Sequence, residues 1–246
     1  YELKKAGADV VTGSTVYDLF LNSQKTSLSN AAYIVGTEVT PLTGTIQGNN
    51  VVTGNTVYNL INTNTTAATW VNGMYFLGTT APQPISVVSK NFIHSINLSS
   101  SVAGSGMAGL LYTSGIALIY NNTFRLGIDS NGASITTPLQ INGIYAASGS
   151  SSSITFNTVC IGGTGVVSGT VNTYSYRRSG AGTADTVMNN IFCNTRSNAS
   201  GTGKNYAANL FASTTLVSIF NDIFATGPGS VFAINGATDY PKRAHW

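Results

Sequence analysis

The chain has 246 residues, with 11 Lys and Arg against 8 Asp and Glu, a formal charge of +3 and only 8% charged side chains. An ordinary soluble domain carries roughly 25% charged residues, so this one is strongly depleted. A small net charge and scattered basic residues, paired only at Lys4-Lys5, Arg177-Arg178 and Lys242-Arg243, exclude a nucleic-acid surface. No window approaches the ~18 uninterrupted apolar residues of a membrane-spanning helix, and Tyr1–Lys5 are not followed by the apolar stretch of a signal peptide. Ser, Thr and Asn make up about a third of the chain, yet 42% of residues are hydrophobic and 10% aromatic, spread throughout, so a folded core is expected.

In chain order, the first signal is a repeat. Val10-Val11-Thr12-Gly13-Ser14-Thr15-Val16-Tyr17-Asp18-Leu19 returns as Val51-Val52-Thr53-Gly54-Asn55-Thr56-Val57-Tyr58-Asn59-Leu60. Weaker copies share Asn (or Asp), any residue, then a large apolar residue: Asn91-Phe92-Ile93, Asn122-Thr123-Phe124, Asn157-Thr158-Val159, Asn190-Ile191-Phe192 and Asp222-Ile223-Phe224. Each copy adds two further short segments of β-branched or aromatic residues with period-two alternation, such as Ile116–Ile119 before the Asn and Asn142–Tyr145 after it. No stretch of ten residues keeps helical spacing.

Three short strands per copy, without a helix, predict an all-β fold, a right-handed parallel β-helix of about seven coils. Each coil itself supplies the long crossover that parallel neighbours need. A propeller is disfavoured because its blades take four antiparallel strands. The whole of 1–246 reads as one β-helix segment of a longer chain.

Stacking turns sequence columns into files about 4.8 Å apart. One is a ladder of Ser14, Asn55, Asn91, Asn122, Asn157, Asn190 and Asp222, whose amides bond coil to coil. The next, Val16, Val57, Ile93, Phe124, Val159, Phe192 and Phe224, is assigned to the interior. Alternation sends its two neighbours outward: Thr15, Thr56, Phe92, Thr123, Thr158, Ile191 and Ile223 on one side, Tyr17, Tyr58, His94, Arg125, Cys160, Cys193 and Ala225 on the other. Low charge then has a mechanical reason, since like charges in a column oppose each other directly.

The segments Asn122–Asp129, Ile161–Gly165, Asn189–Phe192 and Arg196–Ala207 resemble the repeats of very large secreted bacterial β-helix proteins of the Bacteroidetes and related bacteria. Many of those carry a type IX secretion sorting domain. The resemblance runs from about Val51 to Trp246. It implies export, a cell-surface or extracellular setting, and structural or adhesive use. Asp239-Tyr240 and Trp246 resemble the lead into a further coil of those proteins.

Other chemistry was weighed against this. Glycan hydrolysis usually takes two flanking carboxylates, and no two of the eight acidic residues share neighbouring outward positions, so no enzyme is expected. Asp129-Ser130-Asn131-Gly132 reads as a turn rather than a calcium loop. His94 and His245 lie far apart, no Cys/His spacing suits zinc, and neither metal nor cofactor is expected. The outward file Tyr17, Tyr58, His94 and Arg125 is the candidate ligand surface for an extended glycan, set against a stacking ladder that merely stiffens the rod. Cys160 and Cys193 fall in register on adjacent coils, where a disulfide and two stacked thiols stand as equal alternatives. The expected function is a rigid stalk, adhesin module or filament building block, meeting polysaccharide or cell surfaces and associating end to end or laterally. A carbohydrate-binding module is the alternative, with a polysaccharide lyase or hydrolase behind it.

Overall fold

The computed structural model describes residues 2–3, 9–22, 34–40, 49–77, 85–147, 152–167, 169–180, 186–211 and 217–241. His245, Trp246 and the Lys4-Lys5 and Lys242-Arg243 pairs fall outside them. Among the described residues there are twenty-three strands and no helix.

After β1 (Glu2–Leu3) the strands recur in threes: β2 (Val10–Thr12), β3 (Thr15–Leu21) and β4 (Ile34–Val39); then β5 (Val51–Thr53), β6 (Thr56–Asn62) and β7 (Trp70–Leu77). Next come β8 (Ser86–Ser89), β9 (Phe92–Leu98), β10 (Gly106–Ser114), β11 (Ala117–Tyr120), β12 (Thr123–Leu126) and β13 (Gln140–Ala146). The chain continues through β14 (Ser153–Thr155), β15 (Thr158–Ile161), β16 (Thr173–Arg178), β17 (Thr186–Met188), β18 (Ile191–Asn194) and β19 (Asn205–Asn209). It ends in β20 (Val217–Ile219), β21 (Asp222–Ala225), β22 (Ser230–Asn235) and β23 (Thr238–Tyr240).

Every third strand joins the same sheet. Sheet 1 has nine strands in the order β1-β4-β7-β10-β13-β16-β19-β22-β23; sheet 2 runs from β2 to β20 and sheet 3 from β3 to β21, with seven strands each. The chain is therefore a parallel β-solenoid with three faces. It has about five turns rather than the seven equal coils expected. The outermost strands carry exposed side chains (Val10, Phe20, Ile219, Phe224) and do not enclose a core of their own.

The interior follows the expected file. Val57, Ile93, Phe124, Val159 and Phe192 are all at most 1% exposed. They pack against Val52, Val88, Ile119, Ile154 and Val187 of sheet 2 and Met74, Leu110, Ile144 and Tyr176 of sheet 1. Opposite this file, sheet 1 presents a glycine column that the sequence reading did not assign. A Cβ on Gly36, Gly73, Gly109 or Gly143 would lie 2.3 Å from Val57, 2.4 Å from Ile93, 2.5 Å from Phe124 and 2.1 Å from Val159. Glycine here is the space into which the large interior side chain of the following turn fits.

The asparagine ladder forms as a continuous chain of bonds. Asn122 shows the pattern: its backbone N–H and its Nδ2 both donate to Asn157 Oδ1, at 3.0 and 2.9 Å, while Nδ2 also donates to the Val88 carbonyl at 2.9 Å. Asn55, Asn91, Asn157 and Asn190 repeat it, each at 1% exposure. The left-handed position is not the ladder residue but the one before it. Gly13, Gly54, Lys90, Asn121, Phe156, Asn189 and Phe220 all have φ between 55° and 67°.

That turn corrects the register of the last row. The ladder ends in Asn221, which accepts from Asn190, rather than in Asp222. Asp222 pairs with Ile191, Ile223 with Phe192, and Phe224 with Cys193. Ile223, not Phe224, therefore continues the interior file, and Phe224 is 51% exposed. Both outward files shift with it: Asp222 replaces Ile223 in one, and Phe224 replaces Ala225 in the other.

A second correction concerns winding. All strand pairs run parallel except β22 with β23, where Gly236 (φ 62°) and Ala237 turn the chain back antiparallel. Glycine at the first of two turn positions suits a tight hairpin. The segment around Asp239-Tyr240 thus lies along the edge of sheet 1 instead of starting a new parallel coil. Asp239 is fastened by Lys204 and by the Tyr206 hydroxyl, which donates to it at 2.9 Å.

Candidate functional site

Strand pairing places Tyr17, Tyr58, His94, Arg125, Cys160 and Cys193 in one column on the outward face of sheet 3. The rings of Tyr17 and Tyr58 stack with centroids 5.2 Å apart and planes 5° from parallel; Tyr58 and His94 follow at 5.1 Å and 1°. Phe92 packs on His94 at 4.4 Å. These faces are spent on one another, which leaves mainly ring edges toward solvent; Tyr17, at the end of the column, is 51% exposed. Arg125 is exposed beyond His94.

His94 bonds through Nδ1 to Ser95 Oγ at 2.9 Å. Burial, then the Arg125 charge, holds its pKa below the ordinary 6.5, so it is neutral at pH 7. Cys160 and Cys193 are free thiols on paired strand positions. Burial, followed by the neighbouring Cys160, pushes the Cys193 thiol up to about 11.

The Asp129 segment is a turn, as expected: the Asp129 carboxylate accepts the N–H groups of Asn131 and Ala133, both at 2.9 Å. Among the described residues no group of three or more His, Cys, Asp and Glu comes together that could hold a metal. No helix among them is long and apolar enough to cross a membrane.

The sequence reading missed the outward face of sheet 1. Register there aligns Glu38, Tyr75, Leu111, Tyr145 and Arg177 in one column. Tyr174 and Tyr206 stack in the next column, 5.2 Å apart. The Arg177 guanidinium lies over the rings of both Tyr145 (4.5 Å) and Tyr174 (4.9 Å). Arg196 is fully buried, donates from Nη2 to the Thr137 carbonyl at 3.0 Å, and is held down to about 10 by desolvation. The aromatic signals were present in the sequence, in Trp70, Tyr75 and Tyr145, but they come from the loosest copies of the repeat.

Compared with known proteins, the chain matches no family model, no curated protein and no solved structure.

Proposed function

We propose that this chain is a rigid structural or adhesive module of an exported bacterial protein, serving as a stalk, an adhesive arm or a filament building block at the cell surface. The amide ladder carries this reading. It ties consecutive turns together with bonds that are buried from water and therefore resist its competition. Outward columns of Thr, Ser and aromatic residues add stacking without like-charge repulsion. The resemblance of Val51–Trp246 to exported Bacteroidetes repeats supports the location and the type IX route. Parallel crossovers are right-handed in about 98% of cases, which supports a right-handed winding for the solenoid.

The apolar residues at the strand edges support association with further rows, whether from the same chain or another copy. Val10 is 63%, Phe20 62% and Phe220 80% exposed, and open edges accept strands. We read the module as non-enzymatic, its carboxylates being dispersed along the rod. Antibody against the chain should label intact source cells and lose its signal after external protease treatment. Labelling only after lysis would overturn the surface assignment.

A further inference from the structure

The outward faces of sheets 1 and 3 both carry aromatic columns, but they differ in one respect that decides what each can hold. On sheet 3 aromatic rings occupy consecutive rows and cover one another. On sheet 1 Leu111 separates Tyr75 from Tyr145, so the two tyrosines stand two strand spacings apart, about 9.6 Å. The Leu111 side chain, 7% exposed, forms a floor between them. That spacing admits one puckered ring with carbon contacts of roughly 3.5–4.0 Å on either side.

A depression occupies this place, lined by Trp70, Asn72, Tyr75, Leu111, Thr113 and Tyr145. It encloses about 100 Å³ of solvent space, or 440 Å³ counted out to its open mouth. Its walls are fixed before any ligand arrives. Trp70 Nε1 donates to the Gly104 carbonyl at 2.6 Å. The indole lies over Gly106, where a Cβ would come within 2.9 Å of Trp70 Cη2 and Cζ2. Tyr145 is held through its hydroxyl by Ser179 Oγ at 3.1 Å, and Arg177 covers one ring face. Pre-set walls lower the ordering cost of binding.

Asn72 supplies the chemical specificity. It is 1% exposed, it lines the depression, and its Oδ1 has no hydrogen-bond donor. A buried amide oxygen without a donor is costly, and a ligand hydroxyl that reaches it relieves that cost. Thr113, on the same wall, has its hydroxyl tied to the Phe76 carbonyl at 3.3 Å. Among the described residues no charged side chain lines the depression.

We propose that this groove is a binding site for one ring of a neutral polysaccharide, with Tyr75 and Tyr145 contacting its C–H faces and Asn72 Oδ1 accepting from a hydroxyl. A saccharide matches the combination of aromatic walls, an unmet acceptor at the base and absent charge. An aliphatic side chain of a partner protein would leave Asn72 unmet, and the nearest charges, Glu38 and Arg177, lie one row beyond Tyr75 and Tyr145 rather than between them. The site is independent of the structural role above and lies on a different face from the Tyr17–Arg125 column.

The test is calorimetric titration of the 246-residue chain with cellohexaose, xylohexaose, laminarihexaose, mannohexaose and chitohexaose. At least one should bind, and Tyr145→Ala should weaken it tenfold or more, while Tyr58→Ala on sheet 3 leaves affinity within twofold. Circular dichroism checks that each variant is folded; if Tyr145→Ala is not, Tyr75→Ala serves and should show the same loss. Absence of binding at millimolar concentration for the whole panel overturns the proposal. So does binding that survives both sheet 1 variants, or that is lost in Tyr58→Ala, which moves the glycan to sheet 3.

Discussion

Gly143 and Val159 face each other across the solenoid interior so closely that a Cβ on the glycine would lie 2.1 Å from Val159 Cγ1 and 2.4 Å from the Ser175 carbonyl oxygen. Neither a valine branch in a packed core nor a strand carbonyl yields that distance cheaply. Gly143→Ala should therefore destabilise the fold by roughly 2–3 kcal/mol through overpacking. Gly13→Ala is the contrast: no atom lies within 4 Å, and only its φ of +60° opposes a side chain, at about 1 kcal/mol. Midpoints of denaturant unfolding check the pair. Equal effects would mean that the glycine column serves backbone geometry alone.

The ladder makes a sharper prediction. Removing the Asn122 amide strips the acceptor from Asn91 N–H and Nδ2, and the donor from the Val88 carbonyl. All lie away from water, so Asn122→Ala should cost about 2–4 kcal/mol. Ser14, half-buried at the start of the same column, keeps its backbone N–H bond to Asn55 Oδ1 when its side chain is cut, and its hydroxyl donates to the Thr12 carbonyl at 3.4 Å. Ser14→Ala should stay within about 0.5 kcal/mol. The comparison is again made by equilibrium unfolding.

What the sequence disclosed and what it hid follow from where the physical cause of each feature lies. The ladder and the interior file were legible because each repeats one local pattern, Asn-x-apolar, in every turn. The last row was misread by one residue because Asn221-Asp222-Ile223 and Asp222-Ile223-Phe224 both satisfy that pattern. Only the left-handed turn at Phe220 separates them. The glycine column was not legible, since Gly109 is required by Phe124 on another sheet rather than by its own strand. The β22–β23 hairpin did carry a signal, Gly236 at its first turn position, which the expectation of continued parallel winding outweighed. The sheet 1 groove draws on three rows at once, and no single repeat announces it.

The corrected register yields a direct mutational contrast. Phe192 is 1% exposed and stacks on Tyr176 at 5.3 Å, whereas Phe224 is 51% exposed. Phe192→Ala should cost about 3–5 kcal/mol by opening a cavity. Phe224→Ala should cost less than about 1 kcal/mol. Comparable losses would return Phe224 to the interior and restore the register first expected.

His94 gives a pH signature. Burial and then the Arg125 charge both disfavour its protonated form, so its titration midpoint should fall below 6.5 by NMR. Arg125→Ala should raise that midpoint without restoring it fully, because burial is the larger cause. With the folded pKa depressed, the unfolded chain takes up the proton first. The stability this group supports is present above pH 6.5 and declines as the pH falls below it. A midpoint at or above 6.5 would place His94 in open solvent.

Cys160 and Cys193 offer the last test, one that separates two alternatives the sequence left equal. As free thiols, they should give two titratable groups per unfolded chain without reductant; a count of zero would establish the bridge instead. In the folded chain burial, then Cys160, raises Cys193 to about 11. Because the thiolate is the reacting form, alkylation of Cys193 should be slow at pH 8 and accelerate toward pH 11. The unfolded thiol ionises first, near 9.0, so stability should also fall as the pH rises from 9 toward 11. Cys160→Ser should lower the Cys193 midpoint only in part, since burial remains.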